Sequence, residues 1–172
     1  EFVQYFNADD EIRSIFIGLD TTEAGETIYT LDMTDEELTE PVMYDDCAEA
    51  QLGTPILPAS YYAEFTGYTD GLNPGVGGCT ASSLPGADAM TPITLQSYQT
   101  LTLNVSMPGG DPAIYLLYNC LNTISCPVGA DASISGNEEL VYQNTTAGTE
   151  NLYIVVDSKT GLRPYFLSID VY

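Results

Sequence analysis

Residues 100–105 read Thr-Leu-Thr-Leu-Asn-Val, and this stretch decides the fold class. Apolar and polar side chains alternate along it, with Leu101, Leu103 and Val105 on one side and the polar residues on the other. A period of two is typical of a β-strand that buries one face and leaves the other in water. The stretch therefore predicts a strand in a sheet that covers an apolar core.

Runs of the same kind occur along the whole chain and are separated by turn signals. Pro-Gly-Gly-Asp at 108–111 and Ser-Gly-Asn at 135–137 are two of these signals. Only residues 34–38 suggest a helix, with Thr34 as the N-cap and Pro41 beyond the helix end. The further predicted strands are Phe2–Phe6, Ser14–Leu19, Thr27–Met33, Tyr61–Thr66, Thr91–Leu95, Ala113–Tyr118, Glu139–Gln143, Leu152–Asp157 and Tyr165–Val171.

Many strands at short spacing predict an all-β fold, either a β-sandwich or a jelly-roll-like domain. The composition changes near residues 40–46, where a region rich in Gly, Pro and Tyr begins. We therefore predict two parts. Residues 1–41 form an N-terminal strand-rich extension, and residues 42–172 form the sandwich.

The net charge excludes several classes of function. The 172 residues include 25 acidic and 3 basic side chains, so the formal charge is −22. A polyanion of this density is repelled by nucleic acids and by anionic membranes. The chain has no histidine, which excludes Ser-His-Asp catalysis and His-ligated zinc. No apolar run approaches the roughly 20 residues of a membrane span, whereas a hydrophobic content of 44% is enough for a core.

The four cysteines predict two disulfides and an oxidising compartment. Cys47, Cys79, Cys120 and Cys126 lack the C-x-x-C spacing of zinc and redox sites, and the alternative is four buried free thiols. Of the three pairings, we favour Cys120–Cys126, which would close a short loop, together with Cys47–Cys79. The chain begins Glu-Phe-Val, which suggests that an export signal has been removed. We therefore expect an extracellular or cell-surface location.

An ordered series of stretches carries a family resemblance that runs from about residue 45 to the C-terminus. The most specific of them is Asp-Pro-Ala-Ile-Tyr-Leu-Leu at 111–117, followed by two cysteines and Asp131. The others are Asp-Cys-Ala-Glu-Ala at 46–50, Tyr-Tyr-Ala-Glu-Phe-Thr-Gly-Tyr-Thr-Asp at 61–70, Gly-Ala-Asp at 86–88 with Ile-Thr-Leu at 93–95, Gln-Thr-Leu-Thr-Leu at 99–103, Glu-Leu-Val-Tyr at 139–142, Tyr-Ile-Val-Val-Asp at 153–157 and Tyr-Phe-Leu-Ser-Ile at 165–169.

In this order the stretches resemble the bacterial pre-peptidase C-terminal domain, a secreted β-sandwich often appended to exported proteases. One departure is Arg163-Pro164 before Tyr165, where the family usually has a glycine. The resemblance does not explain the first 40 or so residues. It implies a fold and a compartment rather than an activity. Members of the family are accessory domains, and some bind calcium or insoluble polymers such as collagen.

Calcium is the one cofactor that the sequence suggests. Ca²⁺ takes about six to eight oxygen ligands, and several predicted loops carry carboxylates. Divalent ions would also relieve the repulsion between many carboxylates on one compact domain. The chain has no EF-hand pattern, and the alternative is that these acids are solvated loop residues. The candidate metal ligands are Asp45, Asp46, Asp88, Asp111 and Asp131.

An aromatic cluster in a Gly-rich stretch is the candidate ligand surface. Tyr61, Tyr62 and Tyr68 are suited to stacking on a sugar or another polymer. The alternative is that these rings pack in strands and loops, with their hydroxyls reaching solvent.

Catalysis by paired carboxylates has little support in the sequence. A glycosidase needs two acids at one cleft, and the chain has no tryptophan to line a sugar site. Asp20-Thr21-Thr22 is not the Asp-Thr-Gly or Asp-Ser-Gly of aspartic proteases. We therefore predict that the protein is not an enzyme.

The N-terminal extension carries the most specific hypothesis about function. Ile15, Ile17 and Leu19 alternate with Ser14, Phe16 and Gly18, as in a strand with one buried face. This strand either joins the sandwich of its own chain or completes a sheet in a neighbouring subunit, which would build a filament.

The resulting prediction is a non-catalytic extracellular structural or adhesive protein. It would self-associate through N-terminal strands and be stabilised by calcium and disulfides. The alternative is an accessory module that attaches a separate secreted enzyme to an extracellular polymer.

Overall fold

The computed structural model describes residues 41–75, 78–80, 82–131, 136–160 and 162–172. Several predictions concern the chain outside these ranges and stay predictions. They are the strands Phe2–Phe6, Ser14–Leu19 and Thr27–Met33, the helix at 34–38, and the domain boundary at residue 41.

The described part of the chain contains one helix and eight strands. The elements are α1 Cys47–Leu52, β1 Ser60–Ala63, β2 Ala87–Leu95, β3 Thr100–Ser106, β4 Asp111–Leu117, β5 Gly129–Ala130, β6 Asn137–Gln143, β7 Glu150–Thr160 and β8 Tyr165–Val171. Sheet A has the strand order β1-β8-β3-β6 and sheet B the order β2-β7-β4-β5, with antiparallel pairing throughout. The prediction of an all-β sandwich is confirmed.

Alternating side chains of the central strands fill the core between the sheets. Leu101, Leu103 and Val105 of β3 are all buried there, as their period of two predicted. Ile154 and Val156 of β7 reach the same core from sheet B. Each such side chain contributes about 1.5–3 kcal/mol to folding through removal of its surface from water.

A second apolar layer covers the outer face of sheet B. Met90, Tyr115 and Val155 point away from the central core and pack with Leu72 and Leu84 of the long connection between β1 and β2. The middle strands of this sheet are therefore buried on both faces. This explains why β4 and the centre of β7 are continuous apolar runs instead of alternating ones.

The short helix α1 belongs to this second layer and was not predicted. Asp46 caps its N-terminus, because the Asp46 carboxylate accepts a hydrogen bond of 2.8 Å from the backbone N–H of Glu49. The helix has six residues, of which only Ala50 is buried, so the sequence shows no helical period. The expectation that residues 34–38 are the chain's only helical stretch is wrong.

Two disulfides tie the second layer together, and the pairing that we favoured is wrong. The bonds are Cys47–Cys120 and Cys79–Cys126, with Cα–Cα distances of 5.4 and 5.8 Å. The first links α1, and the second links the connection between β1 and β2, to the turn after β4. Closeness in sequence misled the prediction, because Cys120 and Cys126 lie on one turn but bond to different parts of the covering layer. The prediction that all four cysteines form disulfides is confirmed.

Backbone from the same covering layer protects the edge strand β2. Met90 exchanges two hydrogen bonds with Tyr44, and the carbonyl of Pro92 accepts one from Ile56. Pro92 itself has no N–H to leave exposed. One edge of sheet B is thus closed by the chain's own loops, which limits pairing with other chains.

Candidate functional site

Two carboxyl groups lie side by side at one end of the outer face of sheet B. Asp88 of β2 is directly opposite Asp157 of β7 in the strand register, and both side chains are fully buried. Asp88 was predicted to be a loop residue, and this is wrong because β2 begins at Ala87, before the strand predicted from Thr91.

Asp88 holds the connection between β1 and β2 in place. Its Oδ2 accepts hydrogen bonds from the backbone N–H groups of Gly71 and Leu72, at 2.9 and 2.6 Å. Its own N–H donates to the carbonyl of Thr69 at 3.0 Å. A carboxylate with two backbone donors is well placed to carry the negative charge of the pair.

Asp157 has no such donors among the residues that the structure describes. Neither of its buried carboxyl oxygens accepts a hydrogen bond from any residue in the described ranges, and its neighbour is the Asp88 carboxyl. Two ionised carboxylates can only accept hydrogen bonds, so one of the pair must keep a proton to bond to the other. The lack of donors around Asp157 assigns that proton to Asp157, which then donates to Asp88.

The electrostatics agree with this assignment. Burial raises the pKa of Asp157, and the hydrogen bond with Asp88 and the charge of Asp88 raise it further. Burial also raises the pKa of Asp88, but hydrogen bonds from Asp157 and from the backbone of Leu72 and Gly71 partly offset that increase. The pair therefore carries about one charge at neutral pH, as expected for two close, buried acids.

Tyr115 completes the group from the neighbouring strand β4. Its hydroxyl lies 3.3 Å from the carbonyl of Leu72 and 3.4 Å from Oδ1 of Asp88. Burial, followed by the charges of Asp88 and Asp157, raises the pKa of Tyr115, so it remains a neutral donor. Asp88 and Tyr115 therefore anchor the connection between β1 and β2 to two strands of sheet B, and Asp157 lies beside Asp88 on a third.

Two further acids surround Lys159, which lies two residues beyond Asp157 on β7. The Lys159 ammonium is 2.7 Å from Oδ1 of Asp131 and 3.4 Å from Oδ2 of Asp111. The hydrogen bond with Asp131 is the main cause of a raised pKa of Lys159. The second oxygens of Asp111 and Asp131 are buried and have no hydrogen-bond partner in the described part of the chain.

The structure thus places the five predicted calcium ligands in different roles. Asp111 and Asp131 come together, but around an ammonium group. Asp45 accepts hydrogen bonds from the N–H and hydroxyl of Thr69, and Asp46 caps α1. Within the residues that the structure describes, no group of three or more Cys, Asp or Glu side chains is placed to hold a metal ion. Calcium binding stays a proposal.

The predicted aromatic surface is divided between the interior and the outside. Tyr61 is only 8% exposed and packs in the central core, so it is not available at a ligand surface. Tyr68 is half-buried, and its hydroxyl donates to the carbonyl of Met43 at 3.2 Å. Tyr62 lies on the outer face of sheet A, with its ring centroid 5.6 Å from that of Phe166.

The geometry indicates a structural role for the buried acids. A hydrolase needs its carboxyl groups at a cleft that a substrate can enter. Asp88 and Asp157 are closed off by the second layer, and a shallow depression beside the Cys79–Cys126 bond has no carboxylate among its lining residues. Sequence analysis did not single out Asp157, Tyr115 or Lys159 as site residues. Asp157 and Tyr115 lie in two of the family-like stretches, but all three lie inside strands, where no catalytic or metal-binding motif marks them.

The predicted assembly strand, with Ile15, Ile17 and Leu19, lies outside the described residues. No helix within the described ranges is long and apolar enough to cross a membrane.

Comparison with known proteins shows a similarity of fold. No protein-family model matches the chain, and no curated protein sequence matches it. Among solved structures, the chain is similar to the pre-peptidase C-terminal domain of a collagenase from Bacillus anthracis. The identity is 13% and the TM-score 0.45, over 66% of this chain and 90% of that one. The likeness is one of fold. It concerns the same domain family as the resemblance found in the sequence.

Proposed function

We propose that this chain is a non-catalytic extracellular protein with a structural or adhesive role. Copies of the chain would assemble into filaments by exchanging N-terminal strands, with disulfides and calcium as stabilisers. The observation that supports the proposal is the alternation of Ile15, Ile17 and Leu19, which is typical of a strand with one apolar face. Such a segment is suited to pairing with a sheet edge, in this copy or in another.

The arrangement of the acids supports a role without catalysis. Asp88 binds the backbone of a connection, and Asp111 and Asp131 bind Lys159. An acid that is held in this way is not poised to protonate a substrate or to attack it.

The disulfides and the charge support an extracellular location. Two disulfides persist in an oxidising compartment and are rare in the cytosol. A net charge of −22 keeps single copies soluble but opposes their approach to one another. Divalent cations would lower that repulsion, which supports calcium as a component of the assembled form.

One observation favours the accessory polymer-binding module as a second candidate. The Tyr62 and Phe166 rings lie together on the outer face of sheet A, and paired rings are suited to stacking on a sugar or peptide polymer. This module would remain a monomer and sediment with an insoluble polymer. Substitution of Tyr62 by Ala would release it.

The test of the primary proposal is the solution mass of the full chain as a function of concentration. We expect the mass to rise with concentration and Ile17→Asp to remain a monomer, because the new charge would have to enter an apolar face. Thr21→Asp is the matched control, since it adds the same charge outside the predicted strand. Equal assembly of wild type and Ile17→Asp, or a wild type that is monomeric at every concentration, would overturn the proposal.

A further inference from the structure

We propose that β6 is the acceptor edge for strand exchange and that residues 14–19 of a neighbouring copy pair with it. This inference rests on the proposed function and deepens it by naming the partner surface.

The hydrogen-bond pattern of sheet A shows which backbone groups of β6 point outward. The N–H of Asn144 donates to the carbonyl of Gln99 at 2.9 Å, just beyond one end of the β3–β6 ladder. Because inward and outward groups alternate along an antiparallel strand, even-numbered residues of β6 bond to β3 and odd-numbered ones face away. Glu139 and Val141 therefore direct their N–H and C=O groups outward. Neither forms a backbone hydrogen bond on that side with a residue in the described ranges.

The other three sheet edges are poorer acceptors. β2 is bonded along its outer side to Tyr44, Ile56 and Thr69. β1 has four residues and β5 has two. β6 has seven residues, which matches the six-residue segment at 14–19.

The side chains at this edge also suit an apolar strand. β6 and β5 close the same side of the sandwich, where Val128, Ala130 and Tyr142 are half-buried against the central core. A strand added beside β6 would direct alternate side chains toward these three residues. Ile15, Ile17 and Leu19 provide such a set, and their burial would complete the cover over this side of the core.

Charge favours this segment over a second copy of β6. The outward face of β6 carries Glu139, which is exposed. Two β6 strands paired with each other would bring glutamates together, which is destabilising across strands. Residues 14–19 contain no acid, so pairing with this segment avoids the direct contact of glutamates that two β6 strands would create.

Proline at position 141 tests the assignment. Val141 is 53% exposed, and its N–H points away from β3, so Val141→Pro removes an outward donor and leaves the ladder to β3 intact. Val141→Ala is the matched control, because it shortens the same side chain but keeps the N–H. We expect Val141→Pro to raise the concentration needed for assembly by about tenfold or more, the effect of losing one or two hydrogen bonds and their alignment. Val141→Ala should assemble within about twofold of wild type.

Hydrogen exchange of the wild-type protein gives a second measurement that needs no variant. The amides of Glu139 and Val141 should exchange about tenfold more slowly, or slower still, in the assembled form than in dilute protein. Protection that is the same in both would overturn the inference. This includes the case where the amides are already protected in the monomer, because the segment then binds its own sandwich.

The assembly of these variants distinguishes a failure of this inference from a failure of the strand-exchange proposal on which it rests. If Ile17→Asp fails to assemble but Val141→Pro assembles like Val141→Ala, another edge is the acceptor and the strand-exchange proposal still stands. If Ile17→Asp assembles like wild type, both fail together.

Discussion

Replacing Asp157 by Asn is expected to stabilise the protein at neutral pH and to reduce the dependence of its stability on pH. In the folded protein Asp157 is fully buried beside Asp88, and we assign to Asp157 the proton of the hydrogen bond between the two carboxyl groups. An asparagine amide donates the same hydrogen bond but has no proton to lose. The variant keeps the contact and removes the penalty for holding a carboxyl group protonated at pH 7.

The size of the effect follows from proton linkage. The pKa of Asp157 is raised by burial and by Asp88, so folding is favoured most when the group is protonated in both states. That stability is present below the unfolded pKa of about 4 and is lost at up to about 1.4 kcal/mol per pH unit as the pH rises toward the folded pKa. Relaxation around an ionised pair reduces the loss, so we expect Asp157→Asn to be more stable than wild type by about 2 kcal/mol at pH 7.

The assay is urea unfolding between pH 4 and pH 8, followed by far-ultraviolet circular dichroism. The quantity of interest is the difference in unfolding free energy between variant and wild type, which removes the contribution of the other acidic residues. The difference should be near zero at pH 4 and grow with pH. A variant less stable than wild type at pH 7, with a difference that does not change with pH, would refute the reasoning.

Asp88→Asn is the matched control because it makes the same change in the partner that accepts hydrogen bonds. Asn has one acceptor oxygen where Asp88 uses two, so the amides of Gly71 and Leu72 or the hydroxyl of Tyr115 lose a partner. Exchange of the Gly71 and Leu72 amides should accelerate in Asp88→Asn and stay unchanged in Asp157→Asn. Equal protection in both variants would mean that Asp88 does not anchor this connection.

Two further predictions concern buried groups. Tyr165 is fully buried and its hydroxyl has no hydrogen-bond partner within the described residues, so Tyr165→Phe should raise the unfolding free energy by about 1 kcal/mol. Tyr115→Phe removes a hydrogen bond and should lower the unfolding free energy by about 1–2 kcal/mol. Urea unfolding that gave both changes the same sign would contradict this assignment. The Cys79–Cys126 bond closes a loop with a sequence separation of 47, so replacing both cysteines by Ser should lower the unfolding free energy by about 4 kcal/mol in a thermal or urea melt. Peptide mapping of the native protein that found Cys120 joined to Cys126 would contradict the pairing itself.

The strands could be predicted where one face of the strand is buried and the other is exposed to solvent. The alternation of Leu101, Leu103 and Val105 identified β3 because a sheet with one solvated face repeats every two residues. The ends of β2 and β7 were set too short. Asp88 was predicted to lie in a loop and Asp157 at the end of its strand, whereas the burial of each depends on a partner that is remote in sequence.

The covering layer on sheet B was not predictable from pattern. Its apolar residues, such as Leu72 and Leu84, are spaced without a period because they lie in irregular connections. The pairing of the cysteines follows from that layer. Cys47 reaches Cys120 because α1 packs on the outer face of sheet B, and no local pattern in the sequence predicts that packing.

Negative-stain microscopy of the full chain, with calcium and with a chelator and beside its solution mass, tests the central claim most directly. We predict filaments or long oligomers with calcium and their loss in chelator, because the ions reduce the repulsion between copies that each carry a charge of −22. A protein that remains a monomer in both conditions would contradict the claim that it is an assembly protein.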